Sequence, residues 1–157
     1  MKARITSVKE ETAKKLKSIF PDIETVQDRK DFLGPRDCPA ICLSTDYPVD
    51  YTKESGGNVR ASGLLSADIY LLQGEQYQGV RDTDTLVEQI RKKLSEDPFL
   101  GGLVSVFFVS QIVVQTATAE NQVRVIQVNI DYEYTIPQEE REDGIPEDWT
   151  LRGRPEL

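Results

Sequence analysis

The chain has no histidine, only two cysteines, and a single tryptophan among its 157 residues. Without histidine, a serine or cysteine nucleophile would need Lys, Asp, Glu or Tyr as its base, and no such group clusters beside a candidate nucleophile. A zinc site of ordinary Cys/His composition has no ligand set either. Cys38 and Cys42 stand four residues apart at the mouth of an expected strand, which separates them by about 13 Å. A disulfide needs Cα atoms within about 7 Å, so both read as reduced packing thiols. Cations are also scarce: 19 Lys and Arg against 27 Asp and Glu give a net charge of −8. That balance opposes a nucleic-acid or anionic-membrane surface, because binding to phosphate is driven by neutralisation with Lys and Arg. No long uncharged apolar run occurs, and Met1-Lys2-Ala3-Arg4 leads into a charged segment rather than a signal-peptide core. A cytosolic product without a membrane span is therefore expected.

Against these absences stands a clear order of periodic segments. Thr6 or Ser7 is placed to cap a first helix, with Glu10 three residues after Ser7 as in a capping box. Val8, Leu16, Ile19 and Phe20 follow at helical spacing, and Pro21 ends the run. A short strand is expected at residues 23–26 and another at 40–45. A further piece at 47–53 continues the second beyond Pro48, an interruption that suits an edge or bulge. Residues 54–63 are polar and glycine-rich and predict a long, mobile hairpin loop that carries contacts.

Leu65, Ala67, Ile69 and Leu71 then alternate with Ser66, Asp68 and Tyr70, the period of a half-buried strand. Asp82 or Thr83 is placed to cap a second helix with a stripe of Leu86, Val87, Ile90 and Leu94. Arg91, Lys92 and Lys93 suit its C-terminal dipole. Residues 103–115 are too β-branched for a helix and predict a long strand. In the last strand Ile126, Val128, Ile130, Tyr132 and Tyr134 share one face and Gln127, Asn129, Asp131 and Glu133 the other. Val123 and Val125 fall out of phase, which predicts a bulge near Val125.

The resulting fold expectation is one α+β domain over residues 1–136, an antiparallel sheet with two helices packed on one face, followed by an acidic C-terminal extension at 137–157. The glycine pairs 56–57 and 101–102 lack the strand-to-helix setting and Lys-Ser/Thr partner of a phosphate loop and read as turns. Asp68, Asp131 and Glu133 could converge on a divalent ion, but alternating acids are also the ordinary wet side of a sheet. Phe107, Phe108, Tyr132 and Tyr134 lack the interleaved cations of a base-stacking platform, Arg124 being the one cation on the last strand, so core or subunit packing is expected for these rings.

The run Leu94-Ser95-Glu96-Asp97-Pro98-Phe99-Leu100-Gly101-Gly102-Leu103-Val104 follows an amphipathic helix and leads into a strand, a turn and a closing strand that ends Asp131-Tyr132-Glu133-Tyr134. Together with the N-terminal helix and the Cys38-Pro39-Ala40-Ile41-Cys42-Leu43 strand start, it resembles the tail terminator proteins of tailed bacteriophages, also called tail-completion or tail-to-head joining proteins. The resemblance covers about residues 1–136. It implies a structural virion protein, not an enzyme and without cofactor or metal. Such a protein forms a homo-oligomeric ring, usually a hexamer, that caps the tail tube, ends its elongation and joins it to the head-side connector in the neck.

The partners so implied are the tail-tube protein, the connector and in some tails the sheath, with DNA passing through the ring unbound. A negative lumen would let the phosphate backbone slide. Glu54, Ser55, Gly56, Gly57, Asn58 and Arg60 of the polar loop, with Trp149 and Leu151 of the extension, are the expected partner-binding residues. Two other readings stand beside this one: another neck, tail-tube or baseplate subunit, and a cytosolic enzyme or ligand-binding domain on a ferredoxin-like sheet, a fold that hosts many functions.

Overall fold

The computed structural model describes residues 3–23, 25–27, 40–45, 48–72, 83–116 and 123–137. In chain order the elements are α1 (Arg4–Ile19), β1 (Thr25–Gln27), β2 (Ala40–Ser44), β3 (Asp50–Lys53), β4 (Val59–Leu72), α2 (Thr83–Ser95), β5 (Val106–Thr116) and β6 (Val123–Ile136). All six strands join one sheet in the order β1-β2-β4-β6-β5, with β3 also pairing β4. The pairs are antiparallel except β1 with β2, which run parallel. The chain is thus the α+β sheet-and-helix domain that the periodicities predict; the extension beyond Pro137 lies outside the described residues.

The spine is β4 against β6, registered without a break from Val59 opposite Ile136 to Leu72 opposite Val123. This places Ala61, Leu65, Ala67, Ile69 and Leu71 on the same face as Ile126, Val128, Ile130, Tyr132 and Tyr134, all buried. Val8 and Leu16 of α1 and Leu86, Ile90 and Leu94 of α2 close over that face and complete one apolar core. Each such aliphatic side chain contributes about 1.5–3 kcal/mol on burial, so no disulfide or metal is required to stabilise a domain of this size.

Three local expectations need correction. α1 begins at Arg4, with Ala3 as its N-cap and no side-chain cap, and the amides of Thr6 and Ser7 both donate to the Ala3 carbonyl. Thr6 and Ser7 therefore lie inside the first turn, and the helix is held by its buried stripe rather than by a capping box. Val125 sits in an unbroken ladder: its phase is that of a second cluster, with Ala40, Cys42 and Tyr70, buried on the other face of the sheet. The irregularity falls instead in β5, where the register slips between Val109 and Gln111. The extra residue there lets Val109 and Ile112 both turn toward the helices.

The second half of the expected ten-residue loop, from Val59 on, is strand. β4 starts at Val59, and only a 3-10 turn at Ser55–Gly57 separates it from β3. Burial of Val59 opposite Ile136 and of Ala61 opposite Tyr134 outweighs the local glycine content. β2 and β3 lie end to end along the same side of β4, so the interruption at Pro48 separates two strands that pair with one neighbour. Cys42 is a buried thiol; Cys38 lies outside the described residues.

The Leu-Gly-Gly run forms a second 3-10 turn, Leu100–Gly102, between α2 and β5. Leu100 holds a left-handed φ of 47° although it is not glycine, a conformation that costs about 1–2 kcal/mol. Its side chain is buried in the core, and the turn is closed by Gly102 N–H to Phe99 O at 2.9 Å and Leu103 N–H to Leu100 O at 3.3 Å. Burial of the leucine is what offsets the strain.

Candidate interaction surface

The hairpin tip carries most of the residues expected to bind a partner. Glu54 N–H donates to Asn58 O at 2.9 Å and closes the turn, and Gly56 takes φ 80°, a conformation glycine alone adopts without cost. Ser55 and Gly56 are exposed, while Gly57 and Asn58 are half-buried. Arg60, one turn inward on β4, pairs with Glu54 at 3.5 Å and Glu133 at 3.9 Å. These exposed pairs are each worth at most about 1 kcal/mol. Their effect is to fix the tip against β6, so Glu54 and Arg60 are brought together while Ser55 and Gly56 remain free to meet another surface. Trp149 and Leu151 lie outside the described residues.

On the face away from the helices, the sheet is mixed rather than uniformly wet. Ser66 is buried and its hydroxyl donates to Asp68 at 3.2 Å. Burial pushes the Asp68 carboxyl above the usual carboxylate range, with hydrogen bonds from Ser66 and Gln127 opposing the shift. Asp131 is paired with Leu64, four residues from Asp68 along β4, which separates the two carboxylates by about 13 Å of strand. The three acids do not converge, and among the described residues no group of metal-ligating side chains gathers. An open groove of about 440 Å³ lies between the ends of α1 and α2, lined by Ser18, Ile19, Gln89, Lys92, Lys93 and Glu96. Its Lys93 and Glu96 are engaged with each other at 3.4 Å.

The most distinctive surface is β5. It is the terminal strand of the sheet, and its eleven residues, VFFVSQIVVQT, contain no charge, proline or glycine. Edge strands are normally blunted by charge, proline or shortness. The opposite side follows that rule: β1 has three residues, and β3 follows Pro48 and carries Asp50 and Lys53. Among the described residues the only such device on β5 is the irregularity at Ser110. Val109, Ile112 and Val114 face the helices yet are only partly covered. On the other face Phe108 is 62% exposed, with Asp131 directly opposite it on β6.

Sequence reasoning grouped Phe108 with Phe107, Tyr132 and Tyr134. The structure separates them: the latter three are buried under the helices, and Phe108 is on the reverse side. The signal was available, since adjacent residues of a strand cannot share a face.

No protein-family model matches this chain, and no curated protein matches it. Among solved structures, one similar chain is 13% identical with a TM-score of 0.43, over 80% of this chain and 92% of its own length, and its name states no function. A likeness at that level identifies no family.

Proposed function

We propose that this protein is a structural subunit that closes into a ring by way of its sheet edge, as a terminator that caps a bacteriophage tail tube and joins it to the head connector. The observation that carries the reading is the uncharged eleven-residue edge of β5. Such an edge presents a row of backbone donors and acceptors to another chain. A ring needs a heterologous contact whose rotation closes, and an edge on one side with the exposed β3–β4 tip on another supplies two different surfaces. The resemblance of the Leu94–Val104 run to tail terminators supplies the biological setting, and the net charge of −8 suits a conduit through which DNA passes without sticking.

The test is to mix the purified protein with assembled tail tubes of a tailed bacteriophage and view the product by electron microscopy. Tubes of limited length, each closed at one end by a ring, are the expected result. A protein that stays monomeric with tubes present and leaves them uncapped overturns the reading.

A further inference from the structure

Among the described residues, charge is divided between the two sides of the domain. On the sheet face away from the helices the register places Asp50, Asp68, Asp131 and Glu133 with one cation, Arg60, a formal net charge of −3. The helix layer on the other side holds eight Lys and Arg against four Asp and Glu, a net charge of +4. Six of those cations, Lys14, Lys15, Lys17, Arg91, Lys92 and Lys93, fall in the C-terminal halves of α1 and α2. One side of the molecule is the electrostatic complement of the other.

The two sides also match in shape. On the acidic face Phe108 is 62% exposed, with Asp131 directly opposite it on β6 and the half-buried Leu64 beyond Asp131 on β4. An exposed ring beside a carboxylate is complemented by an apolar floor edged with cations, because the ring is then buried while an ammonium meets the carboxylate or the ring face. The groove between the ends of α1 and α2 has that composition. Its volume of about 440 Å³ admits an aromatic ring. Ile19 supplies apolar surface there, and Lys92 and Lys93 supply charge. The Lys93–Glu96 pair in the groove is an exposed contact within one helix, which a competing carboxylate displaces at little cost. The acidic face cannot serve as its own partner, since two copies of it would set like charges against each other around Phe108.

We propose that Phe108 and Asp131 of one copy dock into the α1–α2 groove of a second copy, with Phe108 against Ile19 and Asp131 against Lys92. The two surfaces lie on opposite sides of the domain, so the contact is head-to-tail and repeats from copy to copy, which generates a ring or a filament rather than a two-fold dimer. It rests on the reading of the chain as a ring subunit and adds a side-chain contact to the backbone edge of β5.

Sedimentation equilibrium of the full-length protein at rising concentration reads the contact without tail tubes. Self-association is expected at low salt and should weaken as salt is added. Assembly through apolar surface alone, against a net charge of −8, would instead strengthen with screening. Phe108→Ala should weaken association about thirtyfold, the mark of an aromatic hot spot, with the melting temperature unchanged because the ring is exposed. Lys92→Glu and Asp131→Lys should each weaken self-association, and an equimolar mixture of the two variants should associate again, because each then meets the opposite sign. A chain that stays monomeric at millimolar concentration and low salt overturns the proposal. So does association that salt strengthens, a Phe108→Ala variant that associates like the parent chain, or a mixture that shows no recovery. Tubes capped by rings of the Phe108→Ala variant would remove this contact and leave the terminator reading, whereas salt-sensitive association with tubes left uncapped would keep the contact and remove that reading.

Discussion

Tyr132 lies across the backbone of Gly63, so that a Cβ at position 63 would stand 2.6 Å from the phenol oxygen and 2.8 Å from the ring carbon that bears it. The two are cross-strand partners on β4 and β6, and Tyr132 is 1% exposed. A glycine in the middle of a fourteen-residue strand lowers its stability by roughly 0.5–1 kcal/mol. Here it makes room for the largest side chain of the core, which in turn stacks on Tyr134 with ring centroids 6.1 Å apart.

Gly63→Ala is therefore expected to destabilise the domain by about 1–3 kcal/mol, the usual cost of overpacking a fixed ring, despite the better strand propensity of alanine. Urea unfolding measures it. Tyr132→Leu alone should also destabilise, but combining it with Gly63→Ala should cost less than the sum of the two, because the collision is then gone. Strict additivity would mean that the ring moves aside freely.

Asp68 gives a pH dependence of definite sign. Its carboxyl is raised above the ordinary value of 3.8 by burial, so the folded state holds the proton more tightly than the unfolded one. The stability it contributes is complete below the unfolded value and is lost as pH rises through the folded value. At neutral pH its ionised form is a liability. Asp68→Asn keeps an oxygen to accept from Ser66 and should raise the melting temperature at pH 7, with the advantage vanishing as pH falls toward 3.8. An equal gain at both ends of that range would show that charge is not the cause.

The fold was legible wherever side-chain period decided it. The alternation of Ile126 to Tyr134 and of Leu65 to Leu71 located the spine of the sheet, because a buried face admits one strand phase only. Three features were hidden for physical reasons. Val59 and Ala61 read as loop beside three glycines, and only their pairing with Ile136 and Tyr134 on β6 explains why they are strand. Val125 read as a bulge because a second small cluster on the reverse face cannot be inferred from one strand alone. Cross-strand pairing of Arg60 with Glu133 depends on a register that no local pattern encodes. The uncharged character of β5 was plain in the sequence, but its position at the edge was not, and it is the position that makes it a candidate surface.

Alkaline stability should report the tyrosine face. The Tyr132 phenol is pushed up to about 12, first by burial and then by the neighbouring Tyr134 and Tyr51, and Tyr134 is raised for the same leading reason. Raised values in the folded state mean that their contribution is complete below pH 10 and is lost as pH climbs from 10 toward 12. Unfolding in that window, followed by tyrosinate absorbance and circular dichroism together, should be cooperative. Tyr132→Phe should lessen the pH dependence there. Early ionisation of all six tyrosines near pH 10 without unfolding would contradict the burial.

Arg4 ties the start of α1 to two other elements at once. Its guanidinium lies 5.5 Å from the centre of the Tyr134 ring, and its Nη1 donates to the Leu103 carbonyl at 3.1 Å, just after the Leu100–Gly102 turn. Since α1 has no side-chain cap, this clasp fixes where the helix begins. A planar guanidinium can lie on a ring and donate from its edge at the same time; an ammonium cannot satisfy both geometries. Arg4→Ala is thus expected to cost about 1–2 kcal/mol, from a cation–π contact and a charge-assisted hydrogen bond, and Arg4→Lys should recover less than half. Hydrogen exchange should show the loss concentrated in the first turns of α1 and in the Leu100–Gly102 turn, with β4 protected as before. Full recovery by lysine would reduce the role of Arg4 to its charge alone.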